Sequence, residues 1–370
     1  MPELIAFSER LIAGGFAYAF AISAADITGD GSLDIVAADT GVGLYWFEND
    51  GKGNFARHVI HRREDEWLER HAIADIDQDG RPEIVVVDNI NGSLLWFGHD
   101  GDPRNISSWK HHYITKGGLP GAYDVAVADF DGDGDLDVAA SSWRKGNQFA
   151  WFENHNGLWI KHTIDENVAE TRTICAADIR GIGRADLIGT ASSDGLVVWY
   201  ENPGDPVHQP WKKHTIDSPD RPIHGHPADM DGDGGVDVVM ALGMEREPRD
   251  PRRHQIVWYE NNGSPGRGPW RKHIIFEPFP LAFEAVAADL DNDGQMEVVA
   301  TSWGSDGRVA LFKHRGDPRG PWAMQVLKEN WTRANQVIVC DLDGDGRPDI
   351  VASAERGSNE VRWWRNEGKV

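Results

Sequence analysis

The residues most plainly equipped for chemistry are the acids of Asp129-Phe-Asp-Gly-Asp-Gly-Asp-Leu-Asp137. Carboxylates at the first, third, fifth and ninth positions of a short loop suit Ca²⁺, which takes about six to eight oxygens in flexible geometry. The glycine at the sixth position lets the backbone turn sharply around an ion. No amphipathic helix flanks the stretch, which argues against an EF-hand; an apolar run, Val138-Ala-Ala, follows at once.

The loop recurs. Copies begin at Asp26, Asp75, Asp129, Asp178, Asp229, Asp289 and Asp341, at spacings of 49, 54, 49, 51, 60 and 52 residues. A period of this size is the signature of a repeat architecture. The expected ligands are Asp26, Thr28, Asp30 and Asp34 in the first copy and Asp75, Asp77, Asp79 and Glu83 in the second. Asp129, Asp131, Asp133 and Asp137 follow in the third, and Asp229, Asp231, Asp233 and Asp237 in the fifth. Asp289, Asp291, Asp293 and Glu297 serve the sixth, and Asp341, Asp343, Asp345 and Asp349 the seventh. In the fourth, Arg180 and Ile182 replace two ligands, so no ion is expected there. Six structural Ca²⁺ ions are therefore expected, with the Thr28 loop the weaker binder. Acids at these loop positions number 25, against an excess of acids over bases of 23 in the whole chain, so the acidity reflects the loops rather than a basic partner.

A second set of residues stands out because it breaks the repeat. One and three residues before each loop aspartate the chain is mostly small or apolar; five before, it turns polar, with Arg70, Asp124, Thr173, His224, Glu284 and Gln336. Tyr123, Arg172 and Asn335 lie one residue earlier, and His71 and His226 intrude into apolar columns. Segments after the second apolar run add Trp143, Arg144, Trp303, Glu245 and Arg356, with Arg333 alongside. By contrast His112, His162, His214 and His273 recur in a W-x-x-H frame and read as structural.

This ring lacks a Ser–His–Asp signature and zinc spacing. A pair drawn from Asp124, Glu245 and Glu284 would serve glycoside hydrolysis, which needs two carboxylates at a set separation. β-Elimination from a uronic acid needs a base, a cation for the developing enediolate and an acid for the leaving oxygen. His71 or His226 would be the base, Arg144 or Arg172 the carboxylate partner and Tyr123 the acid. The remaining ring residues would bind substrate, the tryptophans stacking on sugar rings.

What must position these residues is a set of short strands. Each repeat holds a small-residue strand before the loop, an apolar strand after it, an aromatic strand of the W-[FY]-E-N type and a W-x-x-H-x-I strand, separated by turn-formers such as Asn202-Pro-Gly-Asp-Pro206. Four strands per unit, seven units and no helical periodicity predict an all-β, seven-bladed β-propeller spanning residues 1–370 as one domain. The segment Leu4–Ile12 reads as a fourth strand without its first three, and Val361–Trp364 as a third without its fourth, so the N-terminal strand should close the last blade.

The D-x-D-x-D-G-x-x-D loop ahead of an apolar strand resembles the FG-GAP/VCBS repeat of propeller proteins, over nearly the whole chain. That resemblance implies a propeller with calcium loops on one face and a ligand site on the other. Integrin-α propellers, lectin-like modules and several lyases share it, so it leaves function open. The W-x-x-H-x-I and W-[FY]-E-N strands are similar to those of rhamnose–glucuronate lyases and the propeller of aldos-2-ulose dehydratase. This resemblance favours a carbon–oxygen lyase on a uronic-acid-containing saccharide; a non-catalytic calcium-dependent binding propeller and a sugar dehydratase are the alternatives.

The charge balance disfavours nucleic acid, whose phosphates need a basic face. No run is apolar enough to span a membrane. The N-terminal residues MPELIAFSER lack the basic and apolar regions of a signal peptide, whereas calcium loops of this kind favour an extracellular or periplasmic setting. The two cysteines, Cys175 and Cys340, read as buried free thiols, and the protein as a monomer.

Overall fold

A computed structural model of the chain describes residues 4–244 and 251–369, and in it seven four-stranded antiparallel sheets follow one another as the blades of a propeller. The second strand of each blade, such as Glu83–Asp88 or Asp137–Ser142, is buried at every position. Both of its faces are covered, which is why these runs are continuously apolar rather than alternating. The innermost strands are Ala19–Ala25, Leu68–Ala74, Ala122–Ala128, Thr171–Ala177, Pro222–Ala228, Ala282–Ala288 and Ala334–Cys340. Their small residues allow seven strands to crowd one axis.

The last blade is closed by the chain start. Ile5–Gly14 pairs antiparallel with Glu360–Lys369, from Ile5 opposite Lys369 to Gly14 opposite Glu360. That pairing ties the two ends together and removes the free edge the third strand would otherwise present.

The core lies between blades. Val85, Val87 and Leu94 of the second blade, for example, pack against Ala122, Val125, Val138 and Phe152 of the third; burying each large apolar side chain contributes roughly 1.5–3 kcal/mol. Trp46, Trp151, Trp199 and Trp258 are fully buried. Each stacks on an outer-strand histidine, His58, His162, His214 and His273, at centroid distances of 4.6, 4.6, 4.2 and 4.4 Å. The same histidines pair with Glu48, Glu153, Glu201 and Glu260. His112 stacks on Trp96 at 4.1 Å. The recurring histidines are thus part of the frame.

One irregularity repeats in all seven blades. Register between inner and second strand breaks near the start of the inner strand, as between Ala122 and Val125 or Thr171 and Ile174. A bulge re-aims the side chains it carries. Here it releases two adjacent residues from the ladder in six blades and Phe283 alone in the sixth, at the end of the axis opposite the acidic loops.

Candidate functional site

At that end lies a cavity of about 470 Å³. Its floor is the first bulge residue of five blades: Phe20, Glu69, Tyr123, Arg172 and Phe283. Trp143, Arg144, Trp303, Glu355 and Arg356, from the loops after the second strands, form walls, joined by Tyr18, Arg221, Met244 and Leu281.

Cations lie on rings throughout this wall. Arg144 stacks over Trp143 at 4.2 Å, Arg172 over Trp143 and Tyr123 at 5.2 and 5.3 Å, and Arg356 over Tyr18 at 4.5 Å. Glu170 anchors Arg144 and Arg221 at 2.6 and 2.7 Å. The two cavity acids are less well served. Glu69 accepts a hydrogen bond from the Trp67 indole at 2.9 Å, but its Oε2 is buried without a partner. Burial, with the Glu355 charge adding, pushes its pKa up to about 8. Burial also raises Glu355, which accepts from the Trp303 indole.

Beneath the floor the second bulge residues form a sealed polar layer. Arg70 grips Glu284 at 3.2 and 2.8 Å, and His226 reaches the same carboxylate at 2.9 Å. Burial works against the Glu284 charge, but Arg70 and His226 hold its carboxyl below the usual range. Asp124 accepts from the amides of Val125 and Ile174, which locks the third blade to the fourth. A chain of contacts runs from Thr173 Oγ1 to His224 Nδ1 (2.9 Å), from His224 Nε2 to the Tyr123 hydroxyl (3.1 Å) and on to Arg172, which donates to that hydroxyl at 3.0 Å. Thr173 also has the Ile223 carbonyl at 3.0 Å as an acceptor, so either imidazole tautomer can be satisfied. Burial, reinforced by Arg70 and Arg172, keeps His224 neutral, while burial raises Tyr123 against the pull of the same arginines.

Of the residues expected at the site, Tyr123, Trp143, Arg144, Arg172, Trp303 and Arg356 meet in the cavity. Arg70, Asp124, His224 and Glu284 lie one layer below it, Arg70 paired with Glu284, Asp124 with backbone and His224 with Thr173 and Tyr123, so they support the floor rather than line it. Asn335 is fully buried, and Arg333 stacks on Trp303 at 4.8 Å from outside the lining. The histidines expected as bases are not in the cavity. His71 is buried with no partner for either ring nitrogen, and burial with the nearby Arg70 charge lowers its pKa to about 4. His226 is an ion-pair partner of Glu284 below the floor. Glu245 lies outside the described residues. Residue-type reasoning missed Tyr18, Glu69 and Arg221. Glu69 carried a signal: it stands six residues before its loop aspartate, in frame with Tyr123 and Arg172.

On the opposite face, each loop wraps its first aspartate. Gly132 and Gly134 donate to the two Asp129 oxygens at 2.7 and 3.1 Å. The ninth-position acid clamps the loop to the third strand: Asp137 accepts from Phe130 and Asn154 amides, and Asp34, Asp237 and Asp349 accept in the same way. Oxygens of the first, third and ninth positions come within 4.8 Å of one another in five blades, as in Asp75–Asp77–Glu83 and Asp129–Asp131–Asp137. Equivalent groups are Asp229–Asp231–Asp237, Asp289–Asp291–Glu297 and Asp341–Asp343–Asp349. These five acidic clusters could hold a metal ion. The fifth-position acids Asp79, Asp133, Asp233, Asp293 and Asp345, expected as ligands, fall outside the groups and accept backbone amides two residues on. Burial, then the neighbouring acids, pushes Asp137 and Asp237 up to about 7. A divalent cation would relieve that cost, so the donor set fits one.

Five of the seven loops fall in stretches that match a known repeat family. The model of the FG-GAP-like repeat matches residues 26–86, 75–140 and 178–240. The chain carries FG-GAP-like repeats. No curated protein sequence matches it. Among solved structures, BBS1N in complex with ARL6DN superposes with a TM-score of 0.64 at 12% identity, covering 98% of this chain and 97% of that one. The calcium structure of a Trichoderma reesei member of carbohydrate-active enzyme family AA12 superposes with a TM-score of 0.50 at 10% identity, over 99% of this chain and 97% of that one. Its iodide structure gives 0.51 at 11%, over 99% and 98%. At these identities the likeness establishes the fold.

The seven loops are not equivalent. In the fourth, Arg180 bonds Asp186 and Glu201 at 2.8 and 3.2 Å. In the sixth, Lys313 stands where four other repeats have glutamate, and its ammonium contacts Asp291 and, at 3.0 Å, Glu297. In the seventh, Arg365 meets Asp343 and Asp345, and Arg319 reaches Asp231 of the fifth. The first repeat forms no three-acid group because Thr28 supplies no carboxylate. The six like sites expected from the sequence are therefore a graded set, some already neutralised from within the chain.

Proposed function

We propose that the axial cavity binds an acidic saccharide and that the protein is a carbon–oxygen lyase acting on a uronic-acid-containing substrate. The observation that carries this reading is the meeting of Arg144, Arg172, Arg221 and Arg356 with the aromatic faces of Tyr18, Trp143 and Trp303 around Glu69, an acid with a free oxygen. Aromatic faces suit the C–H faces of sugar rings, and guanidinium forks suit a carboxylate. The fold shared with a carbohydrate-active enzyme is consistent with it.

In this reading Arg172 and a neighbouring arginine pair with the uronate carboxylate and stabilise the enediolate as it forms. The ionised form of Glu69 removes the C5 proton; the C5–H electron pair becomes the C4–C5 double bond as the C4–O bond breaks. Tyr123, oriented by Arg172 and His224, gives its proton to the leaving oxygen and regains one from water in the cavity it lines. Glu69 returns its proton to solvent. With a pKa of about 8, Glu69 is poised near the operating pH, as general acid–base groups are. The acidic loops, which we infer hold Ca²⁺ through first-, third- and ninth-position acids, act as staples on the far face.

The test is to incubate the protein with oligosaccharides containing glucuronate or galacturonate and follow the absorbance of the unsaturated uronate product. Binding without any product on a broad panel overturns the lyase reading and leaves a saccharide-binding propeller. Loss of water from a free sugar instead identifies a dehydratase.

A further inference from the structure

The loop between the third and fourth strands of a blade caps the tryptophan–histidine stack of the blade before it. Gly101-Asp-Pro-Arg104 in the second blade and Gly316-Asp-Pro-Arg319 in the sixth are the same tetrapeptide. The Pro103 carbonyl accepts from the indoles of Trp46, one blade back, and of Trp109 beside it, at 3.3 and 2.8 Å. The Pro318 carbonyl accepts from Trp258 and Trp322 at 3.3 and 2.9 Å. The arginine that follows pairs with acids of the earlier blade. Arg104 Nε donates to Glu48 at 3.0 Å and Arg319 Nε to Glu260 at 3.2 Å, and Arg319 also reaches Asp231. Gly204-Asp-Pro-Val207 and Gly263-Ser-Pro-Gly266 are variants on the fourth and fifth blades: Val207 packs with Trp151, and Gly266 lies against His214.

The third blade has no such loop. Its third and fourth strands, Gln148–His155 and Leu158–Asp165, are joined by Asn156-Gly157 alone, with φ of 51° and 82°, the tight turn of a two-residue hairpin. The stack that a longer loop would cover, Trp96 on His112 in the second blade, is therefore open. Trp96 is half-buried where Trp46, Trp151, Trp199 and Trp258 are fully buried, and His112 is exposed. A groove of about 680 Å³ runs there between the second and third blades, with Trp96, His112, Trp159, Asp77 and Asn156 in its lining.

We propose that this groove is a docking site for another protein, which supplies a tight turn carrying proline and arginine in the manner of the chain's own Gly-Asp-Pro-Arg caps. The sibling interfaces show what covers such a stack, and the groove keeps the groups that hold it. Trp96 and Trp159 stand in frame with Trp46 and Trp109, the two indoles that share one proline carbonyl. Asp77 is the counterpart of Asp231, which Arg319 reaches. Gly98 replaces the glutamate of the other capped stacks, so the loop acids are what remains for a cation. Asp77 and Asp135 line the groove and, among the described residues, no lysine or arginine does. That charge suits a basic turn and repels the acidic saccharide proposed for the axial cavity. His112 already takes one face of Trp96, at 4.1 Å, that a sugar ring would need. Both Gly-Asp-Pro-Arg turns of this chain are engaged on their own neighbouring blades, which points to a different protein rather than a second copy. Tryptophan and arginine are also the residues that carry most interface energy.

The experiment is a fluorescence-anisotropy titration of the full chain with a labelled cyclic peptide of residues 314–322, against a control peptide with alanine at the positions of Pro318 and Arg319. The control should bind at least about tenfold more weakly. Trp96→Phe keeps a ring but removes the N–H, and should weaken the peptide about threefold to tenfold. Grafting residues 314–322 in place of Asn156-Gly157 supplies the cap from within; it should cut peptide affinity by at least about tenfold while raising Tm. Equal binding of the two peptides by the wild-type chain overturns the proposal, as does peptide binding indifferent to both changes. A neutral oligosaccharide that binds the wild-type chain and not the graft, while neither peptide binds, overturns it in favour of a glycan site. Should the graft fail to fold by circular dichroism, the two peptides and Trp96→Phe decide.

Discussion

Asp137 and Glu69 are both buried acids with raised pKa values, about 7 and 8, at opposite ends of the same axis. Asp137 has both oxygens engaged by backbone amides, and its counterparts in other repeats do the same work. Glu69 has one oxygen engaged and one free, no counterpart in any other repeat, and arginines within the same cavity. An acid that recurs in frame is bonded into the frame. An acid that appears once, in the lining of a cavity and with one buried oxygen unpaired, is the one a ligand could complete.

The sharpest way to break this contrast is Arg172→Ala, which removes both the carboxylate partner and the Tyr123 contact. Turnover of an acidic saccharide, measured as kcat/KM, should fall by about 10³-fold or more with the circular dichroism spectrum unchanged. Undiminished turnover would move the site elsewhere. Glu69→Gln comes next: kcat should drop by about 10²–10³-fold with KM little altered, and the rise of wild-type rate with pH through about 8 should vanish.

On the loop face the expected effects are on stability. Chelation of divalent ions should lower Tm by roughly 4–8 °C in a thermal melt, with turnover well below Tm changing less than about twofold. The pH dependence has a definite sign. Asp137 and Asp237 have folded pKa values raised to about 7, above their unfolded values, so without an ion the folded state holds extra protons. Stability of the chelated protein should therefore fall as pH rises from about 4 to about 7, and Ca²⁺ should flatten that slope. The smallest effect is the most specific: Lys313→Glu removes the internal cation from the sixth loop and should add about one Ca²⁺ per chain by isothermal titration, with a Ca²⁺-dependent Tm gain of about 2 °C.

The frame was almost wholly legible because each of its devices is repeated. The acidic loops, the Trp151–His162 type of stack and the Ile5–Gly14 closure can all be found by laying one repeat on another. The site was legible in half. Tyr123, Arg172, Trp143, Arg144, Trp303 and Arg356 betrayed themselves by breaking the pattern, and so did Arg70, Asp124, His224 and Glu284, which turned out to lie beneath the cavity. His71 and His226 broke it too, yet one is sealed in the core and the other pairs with Glu284 below the floor.

By itself, then, the chain determined blade number, closure, the positions of the acidic loops and the end of the axis at which variation concentrates, since each follows from local pattern and period. Only the tertiary structure decided which variable residues touch one another. A strand alternates its faces every residue, but the bulge near the start of the inner strand interrupts that alternation and, in six of the seven blades, turns two consecutive side chains out of the ladder. In pairs such as Glu69–Arg70 and Tyr123–Asp124, the depth of the converging strands then chose one residue for the cavity and the other for the buried layer. Glu69 and Arg70, neighbours in sequence, therefore ended with different partners and different work.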